Sequence, residues 1–341
     1  MPGIKEIAQI CGVSANTVSK ILNQGYPNFS RPETRARVFE VARQLDYKPN
    51  RAAQAMKARR NRVVGFVAAN TSAETGILHN AVAYPFLIGL SHALTQRGYH
   101  VCLVELSEVE ISAQAPLPDV LRERFFDGLV LHYGLSPRAA HLLPEFDVPA
   151  IWWDSGRFEP QGCLFRNERA VGAQITQKLV DLGHRRIACF FTPGLWRDQQ
   201  AGRWVHYSFV HRWESYCQIL KENGLEPIAI ASKDADEVAA EIKKLGVTAV
   251  INLSGSYQVL ERAACRLQKR IPRDLSLATF DREARLGREA ISIGGMTYDR
   301  YGAGQSAAQM LFELLDGAAD SIPSIELGGQ FDIGDTIAPA P

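Results

Sequence analysis

Cysteine is sparse in this chain of 341 residues, and its six copies form no CxxC pair. Cys11, Cys102, Cys163, Cys189, Cys217 and Cys265 are scattered, so no zinc or disulfide framework is readable and buried, reduced thiols are expected. No apolar run is long enough to span a bilayer. The amino terminus enters an amphipathic pattern and shows no charged start followed by an apolar signal core, so a cytoplasmic protein without a membrane partner is expected. The eight histidines show no metal-ligand spacing, and HExxH, GxSxG and phosphate-loop patterns are missing. His206 and His211 flank an aromatic stretch, but two histidines alone are more often structural. No catalytic residue, metal or cofactor is therefore expected, and the chain reads as a non-enzyme.

Net charge is also nearly absent, at +1, but it is unevenly spread. Residues 1–60 hold eleven Lys/Arg against four Asp/Glu, or +7, which leaves about −6 for the remainder. A basic head on a mildly acidic body suggests a polyanion as partner of the head alone.

The head carries the most informative stretch, IKEIAQICGVSANTVSKILN at 4–23. Ile4, Ile7, Ala8 and Ile10 recur at helical spacing and predict one apolar side. Gly12 stands where the chain must turn sharply, and Ser14 can cap a second helix. Val18, Ile21 and Leu22 then face the first helix, leaving Ala15, Asn16, Ser19 and Lys20 outward. That face is small, polar and basic, as the floor of a major groove requires. A helical hairpin that merely packs is the competing reading. Ser30-Arg31-Pro32-Glu33 predicts another helix start, with Ser30 as cap, and Val38, Ala42 and Leu45 on the buried side. Residues 50–60, NRAAQAMKARR, form a short helix candidate with little to bury, marginal on its own.

From Arg62 onward, apolar runs of strand length alternate with helical stretches. Strands are predicted at 63–69, 99–106, 128–132, 149–153, 187–191, 227–231, 248–253 and 275–280. Helices are predicted near 84–97, 118–126, 137–143, 167–182, 211–223, 234–245 and 256–269. Continuous apolar strands between helices imply parallel sheets covered on both faces, here two doubly wound lobes. Residues 70–83 form a long connection of the kind that is often functional.

Head, linker and body together resemble the lactose-repressor (LacI/GalR) family of bacterial transcription regulators. The resemblance covers essentially the whole chain, through the 4–23 stretch, RPETRARVFEVARQLDYKPN, the linker NRAAQAM, and the body segments DGLVL (127–131), LVDLGHRRIACF (179–190), IPRDLSLATFD (271–281) and GQSAAQMLFELLDG (304–317). It implies a small all-α helix-turn-helix head plus an α/β periplasmic-binding-protein-like body of two doubly wound lobes. The implied domains are 1–48, a hinge helix at 49–60, and a body at 61–341. Lobe one would be about 61–163 plus 293–323, and lobe two about 164–292 plus 324–341. An effector would bind between the lobes, and homodimers would form through the body. The chain ends in IAPAP with no heptad tail, which favours a dimer over a tail-linked tetramer.

By the same resemblance, Ala15, Asn16 and Lys20 fall on the base-reading positions. Asn16 suits a two-point contact to adenine, Lys20 can donate to guanine, and the methyl of Ala15 can meet a thymine methyl. Ser14, Thr17, Ser19 and Asn23 are assigned to phosphates, with burial in the helix an equal alternative for Thr17. Met56 takes the place of a leucine that wedges into the minor groove, with Asn50, Ala53 and Gln54 beside it; ordinary packing is the alternative. A roughly twofold-symmetric operator of double-stranded DNA is expected. The implied effector positions are Tyr84, Phe86, Trp152–Asp154, Arg166, Arg212, Ser254 and Asp281. Aromatic faces with a few charged groups suit a sugar. Tyr84 stands where asparagine is usual, Arg166 where aspartate is usual, and Ser254-Gly255 where Asn-Asp is usual. These departures shift the cleft toward positive and favour a sugar acid or phosphosugar over a neutral sugar. The aromatic segment 193–210 is open between pocket, dimer contact and surface packing. A two-lobed sugar-binding protein for transport, with no DNA role, is the alternative; it would need an export signal and would have no use for a basic head.

Overall fold

The fold is that of a computed structural model, which describes residues 3–22, 30–49, 55, 58, 60–70, 83–107, 121, 123–132, 148–254, 256–282 and 292–341. Asn23, Asn50, Ala53, Gln54 and Met56 lie outside these residues, as do helix candidate 137–143 and parts of 118–126. The chain divides into two compact units, Met1–Asn61 and Arg62–Pro341.

In the first unit, helices α1 (Ile4–Cys11), α2 (Ala15–Leu22) and α3 (Pro32–Gln44) enclose a small core. Ile7, Ala8, Cys11, Val18, Ile21, Val38, Val41 and Ala42 form it. Ile10 does not join them: it is 46% exposed, and Cys11, one position on, takes the inward place. Gly12 closes α1 with φ +68°, a left-handed turn that costs a side chain its Cβ clearance. Its amide donates back to the carbonyls of Ala8 and Gln9. Ser14 then caps α2, its Oγ accepting from the Thr17 amide at 3.0 Å. Ser30 does not cap α3. Arg31 holds the cap position, the helix starts at Pro32, and the buried Ser30 hydroxyl has no hydrogen-bond partner among the described residues.

The second unit holds two six-stranded sheets. In the first, β1 (Val63–Asn70), β2 (His100–Ser107), β3 (Gly128–His132), β4 (Ala150–Trp153), β5 (Cys163–Arg166) and β11 (Ile325–Leu327) run parallel in the order β11-β5-β4-β3-β1-β2. Helices α4 (Ala83–Gln96) and α10 (Arg300–Leu315) pack together over one face. The second sheet, order β12-β10-β9-β8-β6-β7, contains β6 (Ile187–Phe191), β7 (Ile228–Ala231), β8 (Ala249–Asn252), β9 (Ser276–Thr279), β10 (Gly294–Thr297) and β12 (Gln330–Asp332). All its pairings are parallel except that of β12 with β10. Helices α5 (Glu168–Asp181) and α7 (Tyr207–Glu222) pair on one face; α8 (Ala235–Leu245) and α9 (Tyr257–Arg266) pair on the other. A further helix, α6 (Pro193–Gln200), lies inside the aromatic segment.

All eight predicted strands are present, and β5, β10, β11 and β12 are additional. These four are three or four residues long and carry glycine or charge, so no apolar run announces them. They are also the strands next to the crossings between sheets. The chain crosses at 166–168, 297–300 and 327–330, each a few residues beyond the expected boundary. The thiols are less uniformly buried than expected: Cys11, Cys163 and Cys189 are buried, Cys102 and Cys217 half-buried, and Cys265 exposed. Among the described residues no helix is long and apolar enough to cross a membrane.

Candidate functional site

Two sites emerge, one in each unit. In the head, the outward side of α2 presents an exposed Asn16, with Thr17, Ser19 and Lys20 half-buried beside it. Ser14 Oγ and Thr17 Oγ1 lie 2.8 Å apart, so two hydroxyls meet at the start of the helix, an arrangement suited to a phosphate. The Ala15 methyl is partly spent on the head core. From α3, Arg37 donates through Nη2 to the Ile10 carbonyl at 3.1 Å, fixing the end of α1 against α3.

The second site lies where the carboxyl-terminal ends of strands from both sheets converge, the place where open α/β sheets bind ligands. Asp154 follows β4, Arg166 ends β5, and Asp281 follows β9 by two residues. Glu168 opens α5, Arg212 lies in α7, and Arg300 opens α10. Three guanidinium groups and three carboxylates therefore meet in one buried network. Arg166 donates from Nη2 to Asp154 Oδ2 at 2.7 Å and pairs through Nη1 with Glu168 Oε1 at 2.8 Å and Asp281 Oδ1 at 3.4 Å. Arg212 grips Glu168 with two bonds, of 2.6 and 2.8 Å, and reaches Asp281 Oδ2 at 3.2 Å. Arg300 donates to Asp281 Oδ1. Aromatic faces back the cations: Arg212 lies 4.6 Å from the Phe280 ring, and Arg166 and Arg300 lie 5.2 and 5.0 Å from that of Tyr298.

Local packing explains this convergence. Gly172 of α5 leaves no room for a Cβ against Ser215 Oγ and the Arg212 backbone, and this close approach brings Arg212 beside Glu168. Gly304 of α10 likewise lies against the backbone of Phe86 in α4, which seats the start of α10 and Arg300 over the first sheet. Asp154 has φ +50°, a strained conformation tolerated best by Asn and Asp among residues with a Cβ. Its surroundings hold it there. His206 Nε2 donates to the Asp154 carbonyl at 2.7 Å, and the Tyr207 hydroxyl donates to its carboxylate. The carbonyl can only accept, so His206 carries its proton on Nε2 and accepts at Nδ1 from Ser208 Oγ, 2.8 Å away.

Burial opposes ionisation of Asp281, but Arg300, Arg212 and Arg166 outweigh it and hold its pKa at about 2. Burial is likewise outweighed at Asp154, where Arg166, His206 and Tyr207 keep the carboxyl well below the ordinary range. The two neighbouring imidazoles go the other way. Burial pushes His132 and His206 down to about 4 against the pull of Asp154, so both are neutral near pH 7.

Of the expected effector positions, Asp154, Arg166, Arg212 and Asp281 come together here. Ser254 lies two residues beyond β8 of the second sheet, its Oγ accepting from the Thr192 amide at 3.1 Å. Phe86 is buried and stacks on Trp153, ring centroids 4.4 Å apart and 5° from parallel. The other two are not part of the network. Tyr84 is 58% exposed, and Trp152 turns to the opposite face of the first sheet, under Arg157 at 4.3 Å. Successive strand residues point to opposite faces, so only one of Trp152 and Trp153 can face α4. Among the described residues the charge of Arg166 does not stand as a net positive one, because Asp154 and Glu168 match it. Sequence reasoning missed Glu168, Tyr298 and Arg300, read His206 as structural, and left Tyr207, within segment 193–210, open. Glu168 and Arg300 each follow a strand too short to be recognised, and no motif marks them. The aromatic segment splits three ways: Trp196 packs with Phe191 and Trp213, Trp204 is 45% exposed, and Tyr207 enters the network.

Comparison with known proteins agrees with both units. The family described as "Bacterial regulatory proteins, lacI family" matches residues 3–50, and the "Periplasmic binding protein-like domain" matches residues 176–337. The chain is 23% identical over 335 residues to the HTH-type transcriptional regulator KdgR of Bacillus subtilis (strain 168), covering 95% of this chain and 94% of that one. It is 22% identical over 348 residues to the ribose operon repressor of Lactococcus lactis subsp. lactis (strain IL1403), covering 99% and 98%. Among solved structures, the Lac repressor dimer bound to operator and the anti-inducer ONPF superposes with a TM-score of 0.75 at 19% identity, covering 99% of each chain. The transcriptional regulator CelR in complex with cellobiose gives 0.64 at 20% identity, covering 98% of this chain and 100% of that one. These relatives are transcriptional regulators and not enzymes. The head thus carries a LacI-type DNA-binding domain and the body a periplasmic-binding-protein-like domain, and transcriptional regulators of the same layout align along nearly the whole chain.

Proposed function

We propose that the chain is a ligand-responsive, sequence-specific repressor of carbohydrate-related genes that binds a pseudo-palindromic operator as a homodimer. The observation that carries the DNA half is the capped helix-turn-helix, with Asn16 exposed and Ser14, Thr17, Ser19 and Lys20 around it. On this reading Ala15, Asn16 and Lys20 read bases, while Ser14, Thr17, Ser19 and Asn23 hold phosphates. Met56 wedges into the minor groove, flanked by Asn50, Ala53 and Gln54. The effector, a sugar or sugar acid, binds at the network of Asp154, Arg166, Arg212 and Asp281, with Ser254, Phe86 and Trp153 nearby. The similar proteins support a carbohydrate effector: one is a ribose operon repressor and another is complexed with cellobiose. No cofactor takes part, and the protein acts in the cytoplasm.

The test is fluorescence anisotropy of the purified chain on fragments of its own upstream region, at low and moderate salt. Tight binding of one fragment, falling steeply with salt, is expected. Equal and weak binding to all fragments contradicts the proposal and would favour a sugar-binding protein without a DNA role.

A further inference from the structure

The six-charge network is balanced as a whole but not lobe by lobe. Asp154, Arg166 and Arg300 belong to elements of the first sheet and its helices, and sum to +1. Glu168, Arg212 and Asp281 belong to the second, and sum to −1. The pairs that join the lobes all run from first-lobe arginines to second-lobe acids: Arg166 to Glu168, Arg166 to Asp281, and Arg300 to Asp281. The Arg166–Glu168 pair sits at the crossing itself, so among these ion pairs it is Asp281 that ties the lobes at a distance, beside the His206 and Tyr207 hydrogen bonds to Asp154. Asp281 is also the single accessible member. Its side chain is 19% exposed, whereas those of the other five are at most 3% exposed.

We propose that Arg166 and Arg300 form a seat for an anionic group of the effector, a seat that Asp281 holds until that anion displaces it. This rests on the reading of the cleft as the effector site, and it names the ligand class and the coupling. If Asp281 leaves with its lobe, two adjacent guanidinium groups remain buried against Asp154 and Glu168, with Arg212 still competing for Glu168. An uncompensated buried charge is strongly disfavoured, so Asp281 cannot leave unless another anion arrives. A carboxylate or phosphate of the ligand restores three against three in the buried part and frees Asp281 to solvate. Binding is then an exchange of one anion for another, and it unties the lobes. A neutral sugar gives no such exchange.

The experiment is isothermal titration of the full-length chain with inorganic phosphate, gluconate, glucose 6-phosphate and glucose, on wild type, Arg300→Gln, Asp281→Asn and the double variant. Arg300→Gln is expected to weaken the gluconate or glucose 6-phosphate response at least tenfold. Whichever of those two binds distinguishes carboxylate from phosphate. Asp281→Asn has the opposite effect, gaining phosphate binding that wild type lacks. The double variant has two cations against two anions in the network, so it folds as wild type does and loses that gain. A merely structural role for Asp281 would not produce opposite signs. Failure of Asp281→Asn to bind phosphate overturns the inference, and so does binding of glucose alone by wild type, which would leave the effector cleft itself standing. Phosphate binding by Asp281→Asn with no sugar of any kind bound by wild type would keep the anion seat and sink the effector reading.

Discussion

Glu168 is completely buried and receives both Arg212 bonds, the Arg166 ion pair and the Tyr298 hydroxyl at 3.4 Å. Removing one partner of such a network leaves the others buried and unmatched. Glu168→Gln is therefore expected to lower unfolding free energy by about 3–5 kcal/mol, read from urea denaturation. A loss no larger than that of a surface pair such as Arg266–Asp236 would contradict the network's weight. Asn16 lies at the other extreme, exposed and free of packing duties. Asn16→Ala should leave stability unchanged and cost about 1–3 kcal/mol in operator affinity, with relaxed preference at a single base position. Uniform weakening across all sequences would instead assign Asn16 to a phosphate. At this level the sequence was only partly legible. Asp154, Arg166, Arg212 and Asp281 were identified by resemblance, but Arg300 and Glu168 were not, because a buried ion pair has no sequence period.

Helix packing decides where those side chains arrive. The Gly172 contact between α5 and α7 admits no methyl group without pushing back Ser215 and the Arg212 backbone. Gly172→Ala is expected to cost about 1–3 kcal/mol by overpacking, and to weaken effector binding beyond that loss because Arg212 shifts relative to Glu168. Gly246→Ala makes a fitting control: nothing lies within 4 Å of its Cβ position, so only the strain of its positive φ is felt. Equal effects on binding from both substitutions would argue against a positioning role for the α5–α7 contact. Most of the elements themselves were readable. Runs such as IACFF and GLVLH are buried along their full length, and their continuous apolar pattern announces strands covered on both faces. Short crossing strands such as β10, GGMT, are defined by pairing with distant partners and not by local pattern.

The protein as a whole carries a built-in acid sensitivity. His132 and His206 are neutral in the folded chain, with pKa about 4, below the ordinary 6.5. As pH falls from 6.5 to 4 the unfolded chain binds protons that the folded chain refuses. Stability is thus full above 6.5 and declines through that window, by up to ~1.4 kcal/mol per pH unit for each histidine. Asp281 adds a further loss lower down, between 3.8 and about 2, as its ion pairs are protonated away. Urea unfolding at pH 7, 6 and 5 should show the first decline, and His206→Gln should make it shallower. A flat profile would mean that the imidazoles ionise freely in the fold.

Composition, helical spacing and strand-like runs were enough to indicate a basic helical head, a doubly wound body and the absence of catalytic motifs, because each of these is written in local periodicity or charge count. Ser30 and Ile10 show the limit even there: a one-residue shift in where a helix starts or turns moved a cap and exposed an apolar side chain. Partition of charge between lobes was beyond any linear reading. Arg166 counts as one more cation along the chain, yet it is neutralised by acids 12 residues before it and 115 after it. Only the crossing of the chain between two sheets brings those groups within hydrogen-bonding reach, and Coulomb interactions in a buried site depend on that distance and not on separation along the sequence.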